Sequence, residues 1–249
     1  MGLFGNLFKK KEKLLEPADL GSLGVDVHSH FIPGIDDGAK TIEDSLELIA
    51  AMQSLGYKKV ITTPHVMSDF YRNTPEIILG GLEDVRKALK KHNIDMEIDA
   101  AAEYNLDADF IPKIEAGEIL TFGDNYVLFE LPFIAEPPNI TSAVFELQTA
   151  GYKPILAHAE RYPYWFPEYH KITDLRERGV KIQLNINSLT GFYGPEVKAT
   201  AEKMIEDGVV DLLGSDCHHT GHIALLQDAR RKPSLHKALE LPNLINREL

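Results

Sequence analysis

The stretch LGVDVHSHFIPGIDDG, residues 23–38, joins a short apolar run to two histidines and two aspartates. Residues 23–27 predict a β-strand. Alternate side chains of a strand point the same way, so His28 and His30, one residue apart, can address a single point in space. This arrangement predicts a metal site at the end of the strand. One such pair is weak evidence for a metal site on its own, and the other ligands must come from the rest of the chain.

The remainder of the chain repeats the pattern of a strand followed by a helix. In the first helix Thr41 is an N-cap candidate and Gly56 marks the end. The predicted strands are 23–27, 58–63, 96–103, 126–131, 153–160, 180–187 and 209–216. The predicted helices are 41–56, 74–92, 107–114, 139–150, 170–178 and 195–207, followed by further helical pieces. Such alternation predicts an α/β fold with parallel strands, either as an open sheet or as a barrel.

The composition excludes several classes of protein. Thirty-eight acidic residues against 26 basic ones give a net charge of −12, which argues against a general affinity for nucleic acid. The single cysteine, Cys217, rules out an intrachain disulfide and is consistent with a cytoplasmic location. No stretch approaches the roughly 20 apolar residues that span a bilayer.

The N-terminus is predicted as a segment separate from one domain over residues 21–249. Residues 1–20 are expected to form a frayed tail. The alternative is an amphipathic anchor at the inner face of the membrane, because apolar residues precede a run of lysines that can face anionic lipid. The apolar residues of this anchor are Leu3, Phe4, Leu7 and Phe8, and its lysines are Lys9, Lys10, Lys11 and Lys13.

Metal-competent side chains follow every predicted strand except the sixth, which ends in Asn185 and Asn187. In a parallel barrel these strand ends share one face. Each side chain alone has an ordinary structural explanation, but a buried cluster of carboxylates and imidazoles is too costly without a cation. The mixture suits Zn²⁺, Mn²⁺ or Fe, and its size predicts two or three metal ions. The candidates are His28, His30, His65, Glu103, Glu130, His158, Asp216 and His218.

A multinuclear site of this kind most often activates water and clamps the phosphate of an ester. Arg161, three residues after His158, is placed to hold that phosphate with two parallel hydrogen bonds. Its alternative role is an ion pair with a neighbouring acid such as Glu160. The aromatic stretch YPYWFPEY, residues 162–169, either forms the wall of a pocket for an aromatic leaving group or packs as a lid without substrate contact.

Other phosphatase and hydrolase chemistries lack their motifs. Cysteine phosphatases place an arginine six residues after the nucleophile, but Ile223 stands at that position after Cys217. No G-x-S-x-G elbow, phosphate-binding loop or dinucleotide fingerprint occurs. Thiol and serine-triad catalysis are therefore rejected.

A series of blocks along the chain resembles the PHP (polymerase and histidinol phosphatase) superfamily. More narrowly, it resembles the bacterial manganese-dependent protein-tyrosine phosphatases of capsular and exopolysaccharide synthesis, and the PGIDDGA segment favours this branch over histidinol phosphatase. The blocks, over about residues 24–219, are DVHSHFIPGIDDGAKTIEDSL, TTPH, AAEY, LFELP, AHAERY, INSLTGFYG and GSDCH.

The resemblance implies a distorted TIM-like (β/α)₇ barrel with a trinuclear metal centre at the C-terminal ends of its strands. It implies that the eight candidates above are the metal ligands and that His65 serves catalysis. Asp37 would either bind a metal or donate a proton near the leaving oxygen, and Arg161 would hold the phosphate. Some relatives carry a second arginine after the last motif, and His222 would take part of its role here.

The implied reaction is hydrolysis of phosphotyrosine on a bacterial tyrosine autokinase tail, with two or three divalent ions, foremost Mn²⁺, as cofactors. The implied place is the cytoplasm, at the inner face of the membrane. A small-molecule phosphomonoesterase resembling histidinol-phosphate phosphatase is the main alternative. A nuclease and a non-catalytic domain bound to a kinase are the others, and a homo-oligomer is left open.

Overall fold

The computed structural model describes residues 13–249, so most of the predicted anchor lies outside the described residues. Its strands are β1 Val25–Asp26, β2 Lys59–Thr62, β3 His65–Val66, β4 Glu97–Ala100, β5 Glu103–Asn105, β6 Tyr126–Glu130, β7 Lys153–Leu156, β8 Lys181–Asn185 and β9 Leu212–Gly214. Its α-helices are α1 Ile42–Ser54, α2 Pro75–His92, α3 Phe110–Ala116, α4 Ile140–Thr149, α5 His170–Glu177, α6 Pro195–Glu206, α7 Thr220–Ala229 and α8 Pro233–Leu239. Each predicted strand and helix has a counterpart, and most differences lie at the ends of the elements.

The first helix begins as its sequence predicts. The Thr41 hydroxyl accepts a hydrogen bond from the Asp44 N–H, and the Asp44 carboxylate accepts one from the Thr41 N–H. This reciprocal pair satisfies backbone donors that the first turn leaves free. The helix therefore starts at a fixed residue, directly after the loop that carries the two aspartates.

All strand pairs are parallel, and they form a curled sheet in two sections. The order is β1–β2–β4 in one section and β3–β5–β6–β7–β8–β9 in the other. The predicted strand 96–103 is wrong as a continuous element, because it breaks between β4 and β5. Hydrogen bonds from the Ala101 N–H to the Thr62 carbonyl and from the Glu103 N–H to the Pro64 carbonyl continue the pairing across the break. These two hydrogen bonds keep the chain paired to its neighbour on both sides of the break.

Hydrogen bonds also join the segments that follow the first and last strands. The His30 N–H donates to the Cys217 carbonyl at 3.0 Å, and the Asp216 N–H donates to the His28 carbonyl at 2.8 Å. Ser29 and Cys217 form an isolated parallel bridge. These contacts bring the first and last predicted ligand motifs side by side.

The two faces of the sheet bury separate apolar clusters. The larger cluster includes residues of the covering helices, such as Ile49 and Leu82. The smaller cluster contains residues of five strands, β1, β2, β6, β7 and β9, and no α-helical residue. It therefore lies on the concave side of the sheet, away from the covering helices. Along β7, Leu156 belongs to the larger cluster and Ile155 to the smaller, as the alternation of side chains requires. The smaller cluster consists of Val25, Val27, Ile61, Ala101, Phe122, Leu128, Ile155, Ala157, Leu212 and Ile245.

The segment before the first strand lies against the C-terminal helices. The Leu15 N–H donates to the Arg231 carbonyl and the Ala18 N–H donates to the Arg230 carbonyl. The described part of the predicted tail is therefore hydrogen-bonded to the domain. Within residues 13–249, no helix combines the length and the apolar character needed to cross a bilayer.

Candidate metal centre

The structure brings all eight predicted ligands and Asp37 together in one cluster, with His65 and Glu103 at the starts of β3 and β5 and Glu130 at the end of β6. They form four overlapping groups, and within each group the donor atoms lie no more than 4.8 Å apart. The groups are His30, Asp37, His65 and His218; His28, His30 and Asp216; His28, Glu103 and His158; and His65, Glu103 and Glu130. Several residues belong to two groups, so the arrangement is one continuous cluster.

Glu103 lies at the centre of this cluster and is fully buried. Its Oε2 atom is 3.0 Å from His28 Nε2 and 3.1 Å from His65 Nδ1, and its Oε1 atom is 3.0 Å from His158 Nε2. Burial opposes the charge on Glu103, but His28 and His65 outweigh it and hold the carboxyl pKa well below its usual range. Burial likewise opposes charge on these histidines, but Glu103 and other carboxylates raise the pKa of His28 to about 9 and that of His65 to about 10.

Several atoms that face the cluster are buried and make no hydrogen bond of acceptable geometry among the described residues, although some of them lie 3.0–3.1 Å apart. They include His28 Nε2, His30 Nε2, His65 Nδ1 and Glu103 Oε2. A buried polar atom without a partner costs about 1–3 kcal/mol, and divalent cations bound among these atoms would satisfy them. Imidazole nitrogens mixed with carboxylate oxygens are suitable donors for such cations. The cluster is therefore competent to bind metal, and its donors outnumber those that one ion takes.

Two side chains outside the predicted ligand set, Asp36 and Gln183, contact the histidine rings on the side away from the cluster. Asp36 Oδ2 lies 2.7 Å from His30 Nδ1 and also accepts the His65 N–H at 3.1 Å. Gln183 Oε1 lies 3.2 Å from His28 Nδ1 and accepts the His158 N–H at 2.7 Å. Because Nδ1 of His28 and of His30 is engaged in this way, Nε2 of each ring is left for the cluster.

Asp216 connects the cluster to the guanidinium of Arg161. Its Oδ2 atom accepts hydrogen bonds from Arg161 Nη1 at 2.7 Å and from Asn185 Nδ2 at 2.8 Å. Asn185 is the end of β8, so the strand without a metal-competent residue supplies a donor that holds a predicted ligand. The alternative role of Arg161, an ion pair with an acid, is therefore seen with Asp216 and not with Glu160, whose buried carboxylate accepts from the Ser188 hydroxyl at 2.6 Å and the Asn185 N–H.

The backbone at two of the predicted ligands is strained. His158 has φ +32° and Asp216 has φ +50°, in a region that residues with a side chain seldom adopt. Such strain costs about 1–3 kcal/mol and persists where surrounding contacts over-determine it. Here each residue lies just after a strand, β7 or β9, and its side chain belongs to the cluster. The strained backbone therefore occurs where the chain directs a predicted ligand toward the site.

The cluster forms the floor of a cavity of about 320 Å³. Among its lining residues in the described part of the chain, Arg161 is the sole arginine or lysine. The Arg161 guanidinium carbon lies 4.2 Å from the centre of the Tyr193 ring and 5.0 Å from that of Phe133. These distances are within the range of cation–π attraction, so two aromatic rings fix the cation beside the cluster.

The aromatic stretch 162–169 does not line this cavity. Tyr162 and Trp165 are buried in the core, which favours the packed alternative over a pocket wall. The aromatic walls come from Phe133 and Tyr193 instead, each in a loop that follows a strand. Sequence reasoning missed them because single aromatic residues in loops carry no distinctive pattern, although both lie within or beside the blocks LFELP and INSLTGFYG.

The remaining predicted site residues lie around the same cavity. Asp37 is half-exposed, with Oδ1 3.4 Å from His218 Nε2, and the hydrogen bond with His218 lowers its pKa to about 2. His222 lines the cavity, and burial together with the neighbouring His219 lowers its pKa to about 4. Cys217 is buried, and burial raises the pKa of its thiol well above the usual range, which agrees with the rejection of thiol catalysis.

Comparison with known proteins gives consistent matches. The family described as capsular polysaccharide synthesis, CpsB/CapC, matches residues 24–243. The tyrosine-protein phosphatase YwqE of Bacillus subtilis is 29% identical over 196 residues, which cover 78% of this chain and 77% of YwqE. The tyrosine-protein phosphatase CpsB of Streptococcus pneumoniae is 27% identical over 201 residues, covering 78% of this chain and 83% of CpsB.

Solved structures agree with this result. A crystal structure from work on YwqE of Bacillus subtilis and CpsB of Streptococcus pneumoniae, described as metal-dependent tyrosine phosphatases, matches with a TM-score of 0.74. The identity is 26%, and the match covers 88% of this chain and 95% of the other. The lactonase Lmo2620 of Listeria monocytogenes matches with a TM-score of 0.52 at 14% identity, which is a likeness of fold alone.

Proposed function

Since this chain belongs to the capsular polysaccharide synthesis CpsB/CapC family, we propose that it is a metal-dependent phosphatase that hydrolyses phosphotyrosine on a protein. The observation that carries the proposal is the position of Arg161, which is held between two aromatic rings at the edge of a metal-competent cluster. A cation beside such a cluster suits a phosphate, and aromatic walls suit the ring of tyrosine.

The fold proposed for this activity is the distorted TIM-like (β/α)₇ barrel. Counting β2 with β3 and β4 with β5 as interrupted strands gives seven strand positions. The hydrogen bonds between the His28–His30 segment and the Asp216–Cys217 segment support closure between the first position and the last. In such a barrel the site lies at the C-terminal face, where the cluster is.

The proposed ligands are the eight metal-competent residues of the sequence prediction. The proposed cofactors are two or three divalent ions, foremost Mn²⁺, with Fe and Zn²⁺ as substitutes, because the donor set suits all three and availability decides among them. Ions bound there would activate water and offset the charge of the phosphate. The ligands are His28, His30, His65, Glu103, Glu130, His158, Asp216 and His218.

Arg161 binds the phosphate in this proposal. One of its five N–H donors is engaged by Asp216, so others are free to donate to phosphate oxygens. The rings of Phe133 and Tyr193 keep the guanidinium in place and exclude water from one side. A low pKa leaves His222 neutral at pH 7, so it offers a hydrogen bond to the substrate but not the charge of a second arginine.

Asp37 acts as a carboxylate rather than as a proton donor. Its low pKa keeps it ionised at neutral pH, and its distance to His218 places it within the donor cluster. The leaving group of phosphotyrosine is a phenolate with a pKa of about 10, which departs with less help from an acid than an alkoxide does. The reaction therefore does not require a proton from Asp37.

The proposed substrate protein is a bacterial tyrosine autokinase, with its phosphorylated tail at the cytoplasmic face of the membrane. The name of the family supports a role in capsular polysaccharide synthesis. Residues 1–12, which include most of the proposed membrane anchor, lie outside the described residues. A homo-oligomer remains a proposal of the same kind.

The test is the relative kcat/KM for a phosphotyrosyl peptide and for histidinol phosphate, measured on metal-loaded protein. We expect the peptide to be strongly preferred. A large preference for histidinol phosphate would overturn the proposal and assign a small-molecule phosphomonoesterase.

A further inference from the structure

Three loops that follow strands each expose a large apolar side chain that does not line the cavity, and the second loop also exposes Phe133 of the cavity wall. Phe70 follows β3, Ile134 follows β6 and Phe192 follows β8, and their exposed fractions are 77%, 99% and 58%. We call these three residues the apolar collar. Single exposed apolar residues are common on protein surfaces, but a group beside a functional cavity indicates an interaction site.

Each collar residue is the chain neighbour of an aromatic residue that contacts the site. The ring of Tyr71, next to the first collar residue, stacks on His65 with 5.6 Å between ring centres. Phe133 and Tyr193, next to the other two, flank the Arg161 guanidinium. The collar residues are thus one position away from rings that touch the floor or walls of the cavity, on three different loops.

Hydrogen bonds hold two of these loops in place. The Met67 N–H donates to the Tyr71 carbonyl at 2.8 Å and the Tyr71 N–H donates back at 3.2 Å, which closes the turn that carries the first collar residue. The Tyr164 hydroxyl donates to the Pro132 carbonyl at 3.0 Å, two residues before the second. The exposed side chains are therefore presented by anchored loops.

We propose that the apolar collar binds apolar side chains that flank the phosphotyrosine of a protein substrate. This inference rests on the proposed function. When the phosphate is at Arg161 and the tyrosine ring lies between Phe133 and Tyr193, the peptide backbone attached to that ring emerges through the opening of the cavity. The residues on either side then reach the collar. A net charge of −12 disfavours acidic flanks, whereas the collar favours apolar ones.

The experiment uses the metal-loaded full chain with Phe70→Ser, Ile134→Ser and the double variant. The substrates are free phosphotyrosine and two phosphotyrosyl peptides that differ in having leucine or serine on both sides of the phosphotyrosine. Phe145→Ser is the matched control, because Phe145 is 63% exposed on α4 and outside the three loops.

We expect the wild type to prefer the leucine-flanked peptide. The double variant should raise KM for that peptide about tenfold, as the loss of an apolar contact predicts, with kcat unchanged. KM for the serine-flanked peptide and for free phosphotyrosine should not change, and Phe145→Ser should behave as the wild type.

Two results would overturn the proposed role of the collar while leaving the proposed function intact. One is an active wild type without a preference between the two peptides, and the other is a double variant whose KM changes equally for all three substrates. A wild type inactive on every phosphotyrosine substrate would overturn both. Sedimentation with phosphatidylglycerol vesicles adds a further arm. Vesicle binding that the double variant loses, without a flank preference in the wild type, would assign the collar to a membrane and contradict the proposal.

Discussion

Arg161 donates a hydrogen bond to Asp216 at 2.7 Å, and the other carboxylate oxygen of Asp216 lies 3.4 Å from His28 Nε2. The group proposed to hold the phosphate and the cluster proposed to hold metal therefore share one side chain. Since Asp216 is buried, this contact is shielded from solvent and fixes the position of the guanidinium. Removal of Arg161 should separate the two roles, whereas removal of Asp216 should impair both.

Arg161→Ala should lower kcat/KM for a phosphotyrosyl peptide about 100-fold or more, as expected when a charged donor to a reacting phosphate is lost, while the bound metal is largely retained. Asp216→Ala should lower metal content and activity together. Elemental analysis alongside kinetics measures both, and Arg178→Ala at the end of α5 serves as the arginine control. Full metal with full activity in Asp216→Ala would refute the ligand assignment.

Gln183→Leu should weaken metal binding about 10- to 100-fold, because the side chain that orients His28 and accepts the His158 N–H is lost. Activity should recover when excess metal is added. The matched control is Gln148→Leu, where the amide donates to the Arg178 carbonyl away from the cluster. Titration of metal-stripped protein gives the affinities. Equal affinities in the two variants would show that Gln183 does not position the ligands.

Asp37→Asn should lower the rate by the same factor for aryl phosphates with good and with poor leaving groups. The reason is that Asp37 is already ionised, with a pKa of about 2, and has no proton to give. The check is kcat/KM for 4-nitrophenyl phosphate and for phenyl phosphate in the wild type and the variant. A loss much greater for phenyl phosphate would establish Asp37 as the proton donor.

Metal binding at neutral pH should release protons. Without metal, carboxylates raise the pKa values of His28 and His65 to about 9 and about 10, so both rings are protonated at pH 7, whereas a ligating imidazole is neutral. Affinity should therefore increase with pH up to these raised pKa values, by up to about tenfold per unit for each proton released, and level off above them. Calorimetry in two buffers of different ionisation enthalpy measures the release, and binding enthalpies independent of buffer would contradict it.

The positions of strands and helices follow from local patterns in the sequence. Thr41 and Asp44 define a helix start through adjacent hydrogen bonds, and apolar runs separated by helices indicate parallel strands. The break after Ala100 was not predicted, because Ala101 and Ala102 are as apolar as a continuous strand. The break depends on the curl of the whole sheet, which cannot be read from a short segment of sequence.

The candidate site was predictable where the residue type itself carries the chemistry. Histidines and carboxylates at successive strand ends indicated the cluster as a set, although each of them alone has an ordinary structural explanation. Gln183 and Asn185 were not identified as supporting residues, because an amide in a strand takes its role from the side chain that it meets across the sheet. The walls formed by Phe133 and Tyr193 were missed for a similar reason, since only the folded chain brings them to Arg161.

The most direct test of the central claim is a phosphatase assay on metal-stripped protein reconstituted with Mn²⁺, Zn²⁺, Fe²⁺ or Mg²⁺, with a phosphotyrosyl peptide as substrate. We predict no turnover without metal and restored turnover with at least one of these ions, foremost Mn²⁺. Undiminished activity in the stripped protein, or none with any ion despite full metal occupancy, would contradict it.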